Sequence, residues 1–194
     1  AEYGLLNHRP AAGFDPSFIA LSTLDLAVDS IYNRGADIAL QIRRMAFTER
    51  SGLTVSDMTG DIGMDASGIS LAGVTLKTPF SRIEANISAG EGILALAPDS
   101  PLKAALTADV NTKDLKYLYP ALIPPVLDGR IVSLALTAAG TLGDIGKAGL
   151  DISSPGHVAF TADGAARNVL DPGRMEASAR FEGDFRDMAF LEAL

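Results

Sequence analysis

Apolar and polar residues alternate along most of the chain, and a period of two is the pattern of β-strands with one buried face. In the segment 102–110 every even position is apolar, while Lys103, Thr107 and Asp109 lie between them. Comparable runs cover 24–32, 38–42, 83–89, 132–138, 158–162 and 175–181. About ten strands joined by short turns predict a meandering antiparallel sheet.

The alternation changes phase at several points, which predicts β-bulges, where one strand gains an extra residue. Apolar residues occupy even positions from 38 to 42 but odd positions from 45 to 47, so we expect a bulge near Arg43-Arg44. A second change of phase falls at Ala72-Gly73, and we assign Tyr32 to the same face as Leu24 and Leu26. Bulges bend strands. The predicted fold is therefore all-β: a strongly curved antiparallel sheet, or two such sheets face to face, as a taco-like groove or a sandwich.

Two short segments depart from the strand pattern. Leu115, Leu118 and Leu122 fall at helical spacing after the capping residue Thr112, and Pro120 interrupts the helix. A similar run of Asp, aliphatic, any residue, aromatic and Leu recurs at 187–191 and predicts a second short helix. We expect the leucines of the first helix to be buried where they close one end of the sheet.

This pattern divides the chain into an irregular leader, 1–13, and one β-rich domain, 14–194. The matching helical segments offer an alternative for the larger part, namely two repeat units that divide near 112–130. The chain begins at Ala1 and stops on an apolar segment, so we expect it to be part of a longer protein.

Composition and charge exclude several classes of function. The 194 residues include 24 acidic and 16 basic side chains, with a net charge of −8. The closest basic cluster, Arg43-Arg44 with Arg50, is interrupted by Glu49, so nucleic acid is not an expected partner. The chain has no Cys, which removes disulfides and thiolate chemistry. No apolar run reaches the roughly 18 residues that a membrane-spanning helix needs.

The sequence carries no arrangement typical of catalysis or of metal binding. His8 and His157 are separate, and neither has a second ligand at metal spacing. Ser100 and Lys103 form an isolated S-x-x-K, without the companion motifs of enzymes that use one. The aspartates occur mainly at turns and strand ends, where they favour chain reversal. We therefore expect a protein that is not an enzyme and that needs neither cofactor nor metal.

Short motifs spread from residue 18 to residue 145 resemble TamB/AsmA-like bacterial envelope proteins. The motifs are Phe18-Ile19-Ala20-Leu21-Ser22-Thr23-Leu24, Glu49-Arg50-Ser51-Gly52-Leu53, Thr78-Pro79-Phe80-Ser81-Arg82-Ile83, Asp114-Leu115-Lys116-Tyr117-Leu118-Tyr119-Pro120 and Ala139-Gly140-Thr141-Leu142-Gly143-Asp144-Ile145. Their order and spacing carry more of the resemblance than any single motif. Most positions between them are unmatched.

The resemblance implies a periplasmic segment of a much longer protein that is anchored in the inner membrane by one helix. It implies a taco-like β-groove that shields phospholipid acyl chains during transport between membranes, or that assists outer-membrane assembly, with an assembly protein of that membrane as a further partner. The family's membrane helix and C-terminal domain have no counterpart among these motifs. The family has no catalytic residues to transfer.

The predicted groove is lined by apolar side chains from several strands. The candidates are Leu40, Ile42, Ile83, Ile87, Leu106, Leu134 and Leu136. Ala residues alternate with them, which suits either an open trough or a thin, closely packed sandwich. The alternative function is a closed β-sandwich that acts as a spacer or adhesion module of a surface protein. Strand edges left without a neighbour predict weak self-association.

Overall fold

Eleven strands and one helix lie in the part of the chain that the computed structural model describes, residues 2–4, 14–15, 17–35, 37–66, 68–90, 97–118 and 128–186. The strands are β1 (Glu2–Gly4), β2 (Phe18–Arg34), β3 (Asp37–Glu49), β4 (Thr54–Asp65), β5 (Gly68–Lys77), β6 (Arg82–Ala89), β7 (Pro101–Asn111), β8 (Ile131–Thr141), β9 (Ile145–Ser154), β10 (Val158–Arg167) and β11 (Glu176–Phe185). The helix, α1 (Thr112–Leu118), follows β7.

These strands form one antiparallel sheet whose spatial order is the order of the chain. Each strand pairs with the strands before and after it, and β7 pairs directly with β8 across the 112–130 segment. The expected all-β antiparallel fold is therefore confirmed. It is one open sheet, not two sheets face to face.

The described residues contain one helix where the sequence predicts two. The second predicted helix, at 187–191, lies outside the described residues. Within the expected leader, Glu2–Gly4 pair with Phe18–Ala20 of β2. The other leader positions, 1 and 5–13, lie outside the described residues.

The register between strands locates the bulges. Ala27 is opposite Arg44 and Val28 is opposite Ile42, so Arg43 is the extra residue of a bulge in β3. A second shift lies in β5 between Leu71 and Val74. Both bulges that the sequence predicts, at 43–44 and at 72–73, are confirmed.

The assignment of Tyr32 to the apolar face is wrong because β2 contains a further bulge. Val28 is opposite Ile42, but Ser30 is opposite Gln41, which leaves Asp29 as an extra residue. A bulge of one residue reverses the side to which every later side chain points. Ile31 therefore shares a face with Leu40, and Tyr32 lies on the other side of the sheet.

Few apolar side chains of the described residues are buried. The buried hydrophobic residues among them are Ile42, Val55, Ala85 and Ala108. A closed core encloses its large aliphatic side chains. In the described part of the chain, no second layer covers the apolar side of the sheet.

The buried side of α1 is polar, which corrects the expectation that its leucines are buried. Thr112 is 2% exposed and Asp114 is 5% exposed, whereas Leu115 and Leu118 are only half-buried. Leu122 lies outside the described residues. Hydrogen bonding, more than apolar burial, therefore holds this helix in place.

The carboxylate of Asp114 ties α1 to the turn between β5 and β6. Its Oδ2 accepts hydrogen bonds from Thr78 Oγ1, at 2.5 Å, and from Ser81 Oγ. Ser81 Oγ in turn accepts from the backbone N–H of Asn111, at 2.9 Å. We call Thr78, Ser81, Asn111, Thr112 and Asp114 the helix corner.

Candidate functional site

The seven predicted groove residues all lie on one side of the sheet. Directly opposed residues of paired strands share a face, and following the register from strand to strand gives three cross-strand rows, which together we call the apolar face. The first row is Ile31, Leu40, Ile62, Leu71, Ile87, Ala104, Ala138, Ala148, Gly164 and Ala179. The second row is Val28, Ile42, Gly60, Val74, Ala85, Leu106, Leu136, Leu150, Ala162 and Phe181, with a bulge between Gly60 and Val74. The third row is Leu26, Met45, Met58, Leu76, Ile83, Ala108, Leu134, Ile152, Phe160 and Gly183.

The predicted residues differ in how far solvent reaches them. Ile42 is buried at 6% exposure, and Leu136 is 38% exposed. The other five, Leu40, Ile83, Ile87, Leu106 and Leu134, are half-buried. Apart from Ile42, the set keeps surface open to a ligand.

The most exposed large side chains of the apolar face were not among the predicted residues. Ile31 in β2 is 74% exposed, and Phe181 in β11 is 72% exposed. Ile31 was missed because simple alternation from Val28 assigns it to the polar face, whereas the bulge at Asp29 places it on the apolar face. Phe181 stands in a clean alternation after Ala177 and Ala179, and that signal was available in the sequence.

The first row changes from large to small side chains across the sheet. Strands β2 to β6 contribute Ile or Leu, and strands β7 to β11 contribute Ala or Gly. Because small side chains leave space above the backbone, a hollow of about 390 Å³ lies over β8 to β11. Its apolar lining includes Leu136, Ala138, Ala148, Leu150, Ala162, Ala177 and Ala179. The alanine bias of the sequence therefore shapes a depression in the apolar face.

The opposite face of the sheet is polar and carries cross-strand ion pairs. Arg43 contacts Asp29 at 2.8 Å, and Arg44 contacts Asp25 at 3.6 Å. Such pairs between neighbouring strands stabilise a solvent-exposed face. The two arginines of the basic cluster are thus paired with aspartates.

The turn between β3 and β4 is organised around the buried carboxylate of Glu49, which is 3% exposed. Its Oε2 accepts from the backbone N–H of Ser51 at 2.6 Å, and its Oε1 accepts from that of Ala20 at 3.5 Å. Burial raises the pKa of Glu49, but the hydrogen bonds from Ser51 and Ala20 outweigh it, and the pKa lies below its ordinary value.

Motifs that are far apart in the sequence meet in the structure. Ala20 belongs to the first motif of the resemblance and contacts Glu49 of the second. Thr78 and Ser81 belong to the third and bind Asp114 of the fourth. These contacts are structural, since they fix turns and the helix at the ends of strands.

In the described part of the chain, the histidine and carboxylate side chains do not gather into a metal site. No group of three or more His, Asp or Glu side chains there is placed to hold a metal ion. Ser100 is buried, and its hydroxyl accepts from the backbone N–H of Ala97 at 2.9 Å, so it stabilises a turn. No helix within 2–186 that the structure describes combines the length and the hydropathy of a membrane span. The candidate functional site is therefore the apolar face.

No protein-family model, no curated protein and no solved structure matches this chain. The resemblance to TamB/AsmA-like proteins stays a prediction from the motifs.

Proposed function

We propose that this chain forms a lipid-binding groove of a bacterial envelope protein, located in the periplasm and similar to the TamB/AsmA-like group. Its apolar face would shield phospholipid acyl chains in transport between membranes or in outer-membrane assembly. The function is not enzymatic and uses no cofactor. We also propose that the sheet curves into a taco-like groove with the apolar face inside.

One observation carries the proposal: a continuous apolar face crosses the sheet without a covering layer in the described residues. Soluble proteins seldom leave large apolar areas exposed unless a ligand, a partner or a membrane contacts them. Leu136, near the middle of the second row, is 38% exposed although its neighbours are apolar on both sides.

An acyl chain fits such a surface on physical grounds. Transfer of hydrocarbon from water gains about 0.8 kcal/mol for each buried CH₂, so ten methylene groups contribute about 8 kcal/mol. A flexible chain needs no hydrogen-bond donors or acceptors from the protein. The hollow of about 430 Å³ on the polar face is lined by charged side chains such as Arg82, Asp109 and Asp151, so an acyl chain bound there would take charged groups out of water.

The test is site-specific photo-crosslinking of the purified chain mixed with phospholipid vesicles. A photoreactive residue at Ile87 or Leu136 should capture phospholipid. The matched controls are Ser88 and Thr137, the next residues on the same strands, which point to the polar face. Preferential capture on the apolar face supports the proposal.

Two results would contradict it. Equal capture at Leu136 and Thr137 would show adsorption without a groove. Absence of capture at all four positions, with the folded state verified by circular dichroism, would favour the spacer or adhesion module instead.

A further inference from the structure

The last of the described strands, β11, presents a regular edge that no other described strand covers. It pairs with β10 over ten consecutive residue pairs without a register shift, and the strand order ends there. Edge strands are usually protected by bulges, prolines or inward-pointing charges. The residues 176–185 contain no Pro, and their apolar positions all lie on the apolar face.

The backbone direction along this edge follows from the bond that comes next. The N–H of Arg186 donates to the carbonyl of His157 at 2.9 Å, so residue 186 directs its peptide groups toward β10. Peptide groups alternate in direction along a strand. Ala177, Ala179, Phe181 and Gly183 therefore direct theirs away from β10, toward the open edge.

The charges on β11 are arranged to match a second copy of the same strand. When two copies lie antiparallel with a two-fold axis at Phe181, Arg180 of one copy is opposite Glu182 of the other. In the same register Glu176 is opposite Arg186, and Ser178 is opposite Asp184. Every charged side chain of 176–186 then faces an opposite charge or a hydroxyl group of the second copy, and Arg186 also contacts Asp184 of its own chain at 2.8 Å. The pair of Arg180 with Glu182 therefore contributes most to the match.

Neighbouring registers lose this match. An axis at Arg180 sets that arginine against its own copy and sets Glu176 against Asp184. An axis at Glu182 sets two glutamates against each other. Like charges that are directly opposed across strands are destabilising, so the charge pattern selects the axis at Phe181.

We propose that the chain forms a two-fold dimer by antiparallel pairing of β11 with β11 of a second copy, in the register centred on Phe181. The sheet then continues across the axis, and the two apolar faces join on one side. The pairing does not depend on lipid binding.

The other edge of the sheet is a poorer partner for β11. β1 covers the start of β2, and β2 carries three register irregularities toward β3. Thr23 in β2 also has a positive φ of 50°. An edge so irregular does not offer evenly spaced backbone groups, whereas Ala177, Ala179, Phe181 and Gly183 of β11 do.

The first test uses single cysteines, because the natural sequence has none. Opposed residues of a hydrogen-bonded antiparallel pair have Cα atoms about 5.5 Å apart, which a thiol reagent with a short spacer can bridge. With such a reagent Phe181→Cys should give a covalent dimer, while Ala179→Cys, on the same face but off the axis, should not. Crosslinking through Arg180→Cys or Glu182→Cys instead would refute this register.

The second test keeps Phe181 and exchanges charges. In sedimentation equilibrium Glu182→Arg should raise the dissociation constant of the homodimer by about tenfold or more. The substitution sets an arginine at 182 against Arg180 of the other copy, which creates two repulsive pairs. Arg180→Glu should do the same, although it also meets Asp163 of β10. Mixing the two variants should restore dimers, since each supplies the charge that the other lacks.

Circular dichroism of each variant separates loss of dimer from loss of fold. A wild-type chain that stays monomeric at several hundred micromolar would overturn the proposal, as would two folded charge variants that fail to associate when mixed. Neither result would affect lipid capture at Leu136, which belongs to the monomer.

Discussion

Replacing Asp114 by Ala removes the carboxylate to which the hydroxyl groups of Thr78 and Ser81 both donate. A hydrogen bond to a charged group contributes about 1.5–3 kcal/mol, and a buried donor left without an acceptor costs a similar amount. Thr78 Oγ1 keeps a second acceptor, the Ser81 carbonyl at 3.4 Å, so its loss is partly compensated. We therefore expect Asp114→Ala to lower the free energy of unfolding by about 2–4 kcal/mol.

Urea denaturation at pH 7, followed by far-UV circular dichroism, measures this loss. With a slope of about 2 kcal/mol per molar urea, the midpoint should fall by about 1–2 M. Asp114→Asn keeps an acceptor oxygen but loses the charge, so it should lower the free energy of unfolding by about half as much as Asp114→Ala does.

Asp128→Ala is the matched control. Asp128 is an exposed acidic residue whose carboxylate contacts Lys116 Nζ at 2.8 Å. The substitution therefore removes an ion pair of the same helix and leaves the helix corner unchanged. Its urea midpoint should equal that of the wild type within error. A loss below about 0.5 kcal/mol for Asp114→Ala would refute the argument that this corner fastens the helix to the sheet.

Three further predictions concern stability. Because folding lowers the pKa of Glu49, its carboxylate contributes fully to the free energy of unfolding above the unfolded value of 4.5, and this contribution is lost as the pH falls through the lower folded value. In urea titrations, the difference in free energy of unfolding between the wild type and Glu49→Gln should therefore shrink in acid. A Cβ at Gly60 would lie 2.8 Å from Val74 Cα, whereas nothing lies within 4 Å at Gly73; Gly60→Ala should therefore cost about 1–3 kcal/mol more than Gly73→Ala, and equal urea midpoints would contradict the close approach. Leu118→Ala should cost about 1–2 kcal/mol, near half of a core truncation, and a loss above about 4 kcal/mol in the same assay would show that this half-buried leucine is core.

The sequence predicted the strands well because each face carries a consistent chemical signal. In β7 the even positions are apolar and lie on one face, as the alternation requires. The bulges at 43–44 and 72–73 were also detectable, because the apolar positions change from even to odd numbers at the first and from odd to even numbers at the second. The bulge at Asp29 was not, since both Ile31 and Tyr32 are apolar enough to continue the pattern.

The helix corner lay beyond sequence reasoning for a different reason. Leucine spacing indicates a helix, but the contacts that fix α1 come from Thr78 and Ser81, more than thirty residues earlier. Hydroxyl groups have no periodic signature, so their convergence on Asp114 becomes visible only in three dimensions. The alanines on the apolar face indicated an open trough or a thin sandwich, but the sequence did not show that a hollow would lie over β8 to β11.

The strand order has a consequence for how the chain folds and opens. Because every strand pairs with its neighbours in sequence, most pairings close hairpin-sized loops, and the fold has a low contact order for an all-β protein. Stability then becomes a sum over adjacent strand pairs, as in repeat proteins, and does not depend on one indivisible core. In the monomer, amide hydrogens should exchange fastest in β11, which has one neighbour in the described sheet of a single chain, and slowest in β5 to β7. A sheet of this kind frays from its edge inward and zips closed again, while the centre stays formed.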